Sequence, residues 1–348
     1  MKALVPLPEW TPVLGFIFGA IVGSFLNVVI YRMPRAISIW RESHSFCPKC
    51  DHHLGPIDLV PLLSWLLSGR KCRYCGKPVT SRYFWVELIN ALIWTGVWYQ
   101  YLLGPAPDVG KAIAYALTAS ALVTVIFTDI ELYLIPEQVN AFILFVGLGY
   151  NLWLYSKGAA EATTWGMPSA VAGGIVGAGA LWLIALIGRL IFGKDAMGHG
   201  DIKLARGIGA VLFPAVAGIS FGIAVILGAV LGLILQVLPR ILAKNGQGAP
   251  EADEEEPPEK ETIGSLLKCG LGYFLCLDVI GLFIPKFYIS YFDEDPFAPP
   301  PDLETYEPTH TMIPFGPYLA LGAIVAAVFE QPLLSMVEGY FRNMSPPT

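Results

Sequence analysis

Two acidic residues sit where an apolar chain carries them least easily. Asp201 lies in Gly198-His199-Gly200-Asp201-Ile202-Lys203, between two long apolar runs. Asp129 closes another such run in Phe127-Thr128-Asp129-Ile130-Glu131. Hydrocarbon solvates a carboxylate poorly, so an acid at the edge of a membrane span usually marks a functional site. Gly198 and Gly200 let the backbone turn sharply and bring the Asp201 carboxylate close to another segment. The helix that begins there offers unpaired N–H groups and the positive end of its dipole. Taken alone, each acid reads as a helix cap or a solvated charge. As a pair at two helix ends, they predict a shared proton and an activated water.

A second constellation is metal-ligating. Cys47-Pro48-Lys49-Cys50 and Cys72-Arg73-Tyr74-Cys75 are two Cys-x-x-Cys knuckles with 21 residues between them. That pattern predicts a tetrahedral four-thiolate zinc site. Disulfides are the alternative, but flanking Arg32, Arg35 and Arg41 place this loop in the reducing cytoplasm by the positive-inside rule. His44, His52 and His53 lie nearby, yet four thiolates already complete the shell. So small a loop has little core of its own, so the metal is expected to fold it.

The elements that must position these groups are membrane helices. The chain has 348 residues, 55% hydrophobic and 14% charged, with a mean hydropathy of +0.58. A soluble domain carries about a quarter charged residues. The expected fold is an all-α polytopic membrane protein of about eight transmembrane helices with a small cytoplasmic zinc-binding loop domain. Spans are read near Pro12–Tyr31, Tyr83–Leu103, Gly110–Thr128, Pro136–Tyr155, Pro168–Phe192, Lys203–Phe213 (short), Ala215–Leu238 and Phe315–Phe329. Gly15, Gly19 and Gly23 form a small-residue face for close helix contact, and Asn27 reads as an interhelical hydrogen-bonder. The first run has the charge order of a retained span, not of a cleaved signal.

The chain divides into a first span (1–33), the cysteine loop (34–81), a helical core (82–243), an insertion (244–311) and a last span with its tail (312–348). Lys244–Glu261 reads as a solvated acidic linker. Thr262–Tyr291 is apolar but interrupted by Lys268, Asp278 and Pro285, and reads as a segment at the interface or dipping partway into it. The formal charge of −6 comes largely from the linker tract, and no basic surface for nucleic acid is present.

These stretches resemble the signature motifs of the type IV prepilin peptidases, integral-membrane aspartyl proteases of the Gly-x-Gly-Asp class. The resemblance includes Gly23-Ser24-Phe25-Leu26-Asn27, the cysteine loop with Asp58, Ser64, Gly69-Arg70, Tyr83 and Glu87, and Ile313-Pro314-Phe315-Gly316. It implies that Asp129 and Asp201 are catalytic and that the substrate is a type IV prepilin or pseudopilin. The basic leader would be cut at the cytoplasmic face of the bacterial inner membrane, with membrane lipids around the helices. It also implies N-methylation of the new N-terminus with S-adenosylmethionine, although no glycine-rich nucleotide fingerprint appears. Gly198, Gly200, Lys203, Glu131 and Glu137 are candidate supporting residues. Glu137 stands where the family usually has aspartate and reads as a helix-start charge near the dipole's positive end, tolerant of substitution. Two other classes fit the bare pattern: a transporter with an acidic proton relay, and a non-catalytic assembly factor that docks through its zinc loop.

Overall fold

The computed structural model describes residues 7–39, 44–103, 106–193, 197–242, 262–299 and 314–344. The linker between 244 and 261, and Ile313, lie outside them. Helix α1 (Pro12–Arg32) starts on a proline, whose fixed φ suits a first turn. The cysteine loop holds one short helix, α2 (Leu63–Leu67), and leads into α3 (Arg82–Leu102). The expected small-residue face joins α1 to α3. A Cβ on Gly19 would lie 2.7 Å from Ala91 Cα, and one on Gly23 would lie 2.7 Å from Glu87 Cα. Asn27 donates across the same contact to the Tyr83 carbonyl at 3.1 Å, and Ile17, Phe18, Ile21 and Phe25 stay exposed on α1 for lipid.

Helix α4 (Val109–Leu132) is capped by Asp108, which accepts from the Lys111 N–H. It stops at Tyr133, held at φ +52°. After Pro136 come α5 (Glu137–Ser156), a two-residue hairpin of β1 (Thr163–Thr164) and β2 (Met167–Pro168), and α6 (Ser169–Phe192). Helix α7 (His199–Leu242) is broken at Phe213, φ +60°, just before Pro214. Three short helices follow, α8 (Ile263–Phe274), α9 (Leu277–Phe283) and α10 (Pro285–Phe292). Helices α11 (Gly316–Val328) and α12 (Glu330–Met344) complete the described chain.

The break at Phe213 is a reversal. Gly209 and Phe213 pack against Gly173 near the start of α6, at the end of the bundle away from Asp129. Phe213 also stacks on Tyr150. Gly228 packs against Phe315 and Tyr318, beside Gly316, which touches Asp129. The first arm of α7 therefore runs away from Asp201 and the second returns. Proline 214 lacks an N–H and crowds the preceding residue out of helical φ/ψ, so the helix stops there.

Five helices are long and apolar enough to cross a membrane, and two bent pairs raise the number to seven among the described residues. The chain is a multi-pass membrane protein. Against the expected set, α3 has the length but carries Arg82, Glu87, Asn90 and Gln100, and α7 joins two expected spans in one broken helix. The α8–α9 pair, bent by 74°, adds an apolar element where a shallow segment was expected.

Candidate active site and metal centre

Asp129 occupies the last turn of α4 and is 6% exposed. The backbone N–H of Gly316, first residue of α11, donates to its carboxylate. A Cβ on Gly316 would overlap Asp129 Oδ2, so a larger residue there must push the carboxyl aside. Asp201 lies in the first turn of α7, where its carboxylate accepts from the Gly198 N–H. That is one half of a capping box, in which an acid in the first turn reaches back to the cap residue. The cap uses part of the carboxylate only: Asp201 Oδ1 is buried with no hydrogen-bond partner. The Asp129 carboxylate is close enough for its charge to act on Asp201. Ile135 packs between their supports, near the Cβ positions of both Gly200 and Gly316.

The supporting residues separate into different roles. Glu131 pairs with Arg82 at 2.7 Å and is 38% exposed. It ties the end of α4 to the start of α3, and so sets the cysteine loop and Asp129 at one end of the bundle. Glu137 meets Lys203 Nζ at 2.5 Å, and the Lys203 side chain is only 2% exposed. Glu137 is the first residue of α5, the helix-start position expected of it, and there it also neutralises a buried ammonium. The sequence does not show this, because the pair joins residues on α5 and α7 that meet only on folding.

Lys203 also donates to the Tyr288 hydroxyl at 3.1 Å. Its Nζ lies over the rings of Tyr273, Tyr288 and Phe292 at 4.9, 5.7 and 5.6 Å. Sequence reasoning missed this cage, and it missed the Arg206–Asp278 pair, with contacts of 2.8 and 2.5 Å. One signal was available. Asp278 interrupts an apolar run and Arg206 another, and buried charges of opposite sign seek each other.

The cysteine loop folds as two near-copies of one turn. Cys47 N–H donates to the His52 carbonyl and Cys72 N–H to the Lys77 carbonyl. The Asp51 and Gly76 N–H groups return to the Cys47 and Cys72 carbonyls at 2.8 and 2.9 Å. Asp51 and Gly76 both take positive φ. All four cysteines are free thiols, and the ligand atoms of Cys47, Cys50, Cys72 and Cys75 lie within 4.8 Å of one another. This donor set can hold a metal ion. His52 instead stacks on Tyr74, and His44 meets His53 edge-on.

Comparison with known proteins adds to this geometry. Residues 17–101 match the model of the bacterial peptidase A24 N-terminal domain, and residues 116–233 match that of the type IV leader peptidase family. The chain is 32% identical to a prepilin leader peptidase/N-methyltransferase of Aeromonas hydrophila, over 64% of this chain and 80% of that protein. It is 30% identical to one of Myxococcus xanthus, over 89% and 87% of the two chains. A third, of Neisseria gonorrhoeae, is 27% identical over 69% and 86%. No solved structure matches the chain.

Proposed function

The chain belongs to the type IV leader peptidase family, and we propose that Asp129 and Asp201 are its catalytic acids. It is a prepilin peptidase and N-methyltransferase. The observation that carries the assignment is the meeting of two carboxyls from α4 and α7 at one end of the bundle. One of them, Asp201, keeps a buried oxygen free of partners. One carboxylate takes a proton from water, whose oxygen bonds to the scissile carbonyl carbon of the leader. The other carboxyl protonates the carbonyl oxygen, and the tetrahedral intermediate then breaks its C–N bond as a proton passes to the leaving amine. In the second activity S-adenosylmethionine, when bound, would supply a methyl group to the new α-amine as the free base, with S-adenosylhomocysteine leaving and the amine then losing a proton. A relay through the membrane would call for acids within the span, whereas both lie in terminal turns.

The substrates are prepilins or pseudopilins, and the site faces the cytoplasm from the inner membrane. Arg32 and Arg35 at the inner end of α1 support that orientation, since positive charge stays inside. The Arg82–Glu131 pair keeps the cysteine loop and Asp129 on the same face. The metal is zinc. Four thiolates suit its tetrahedral preference, and Cys47, Cys50, Cys72 and Cys75 would hold it to fold the loop.

The test is to incubate the purified protein with a prepilin and S-adenosylmethionine and to weigh the product. Loss of the leader with gain of one methyl group is expected. An uncut prepilin in the presence of correctly folded protein would overturn the reading.

A further inference from the structure

The α8–α10 insertion lies beyond both segments that match the family models, yet it grips the helix that carries Asp201. Its path begins and ends at the Asp129 end of the bundle. It runs down α6, where Trp182 Nε1 donates to the Leu266 carbonyl and Phe274 nears Gly179. It bends at Cys276, φ +54°, and returns to the start of α5, where Gln138 donates to the Pro296 carbonyl.

Among the described residues, three polar side chains of α7 meet it. His199 Nδ1 lies 2.8 Å from the Tyr273 hydroxyl. Lys203 enters the cage of Tyr273, Tyr288 and Phe292. Arg206 forms a two-point pair with Asp278 and also donates to the Tyr273 carbonyl at 2.6 Å. Arg206 and Asp278 are 3% and 2% exposed. Below them Ala210 packs with Val279.

Residues 199, 203, 206 and 210 follow the spacing that places side chains on one face of a helix. Asp201 is two residues from His199, about 200° around at 3.6 residues per turn. The insertion therefore holds the back of the helix while Asp201 faces the other way, toward Asp129. Rotating or sliding α7 would break a buried charge pair, which is costly in low dielectric.

We propose that this insertion is a clamp that fixes the rotation and depth of α7, with Tyr273 and Asp278 as positioning residues for cleavage. The inference rests on Asp201 being a catalytic acid. A misplaced carboxyl slows the chemical step without weakening the hold on substrate, so kcat falls while KM stays.

The test uses full-length protein in lipid with a prepilin substrate. Tyr273→Phe keeps the ring beside Lys203 and removes only the hydroxyl on His199. Asp278→Asn removes the charge opposite Arg206, and Asp278→Glu keeps it. Tyr273→Phe and Asp278→Asn should each lower kcat about ten-fold, with KM within about two-fold. Asp278→Glu should recover most of the loss. Should Asp278→Asn fail to accumulate, the apolar pair Arg206→Met with Asp278→Leu restores packing without the charges, and the same kcat loss is expected.

Wild-type kcat in Tyr273→Phe and in whichever Asp278 variant folds would overturn the clamp. So would a fall in kcat that follows the melting temperature with no rescue by Glu. Asp201→Asn, measured alongside, separates the two claims. If it cleaves normally the acid assignment fails; if it is inactive while the clamp variants are normal, the clamp alone fails.

Discussion

The Gly316 backbone N–H donates to the Asp129 carboxylate, so α11 begins directly on the acid that ends α4. The start of α11 brings its positive dipole end with it. A third helix thus orients one acid of the proposed pair, and a Cβ at position 316 would collide with Asp129 Oδ2. The atom in the way is the end of a side chain, so Gly316→Ala displaces the carboxyl more than it strains the fold. Cleavage should fall by about a hundred-fold or more, with normal amounts of protein in the membrane. A pulse-chase of prepilin processing measures it, and near-normal processing would show that Asp129 need not stay where Gly316 holds it.

Asp129→Asn and Asp201→Asn should each abolish leader cleavage and leave folding intact. An amide keeps the shape of the carboxyl but cannot hold or release the shared proton. Processing retained above a trace by either variant, in an assay with purified protein, would remove that residue from the pair.

Glu137→Gln should be poorly tolerated, although a helix-start charge alone would be replaced at little cost. It leaves Lys203 buried without a counter-charge, and breaking such a pair costs about 3–5 kcal/mol. Tyr288 and the surrounding rings offset part of this. Adding Lys203→Met removes the orphaned charge and should recover much of the lost stability, read as a melting temperature in detergent. Equal melting temperatures for wild type and Glu137→Gln would refute it.

The purified protein should carry one zinc ion per chain. Serine at any one of Cys47, Cys50, Cys72 or Cys75 should release it and unfold the loop, since three thiolates leave the tetrahedron open. Metal analysis with thiol titration decides the point. Oxidised cysteines in metal-free protein would contradict it.

Deleting Gly246–Pro258 should leave cleavage near normal, because loop-closure entropy changes only slowly with chain length. Steering of a basic leader by these acids is the competing idea, and it predicts a deficit at low salt that fades as ions screen the field. Rates for wild type and deletion, compared across ionic strength, tell the two apart.

The sequence by itself marked the candidate residues: the two acids at span ends, the two cysteine knuckles and the small-residue face of α1. Each is a local signal, legible because a charge beside an apolar run, a Cys-x-x-Cys spacing and a four-residue glycine repeat need no knowledge of distant contacts. The turn of α7 at Phe213 was half-legible in Pro214, which ends a helix but does not say where the next one goes. Only the tertiary structure decided what surrounds the acids. Gly316 on Asp129, Glu137 on Lys203 and Asp278 on Arg206 join residues far apart in the chain. A buried charge must find its opposite wherever folding brings one near, and that partner is set by the packing of whole helices, which no local spacing encodes.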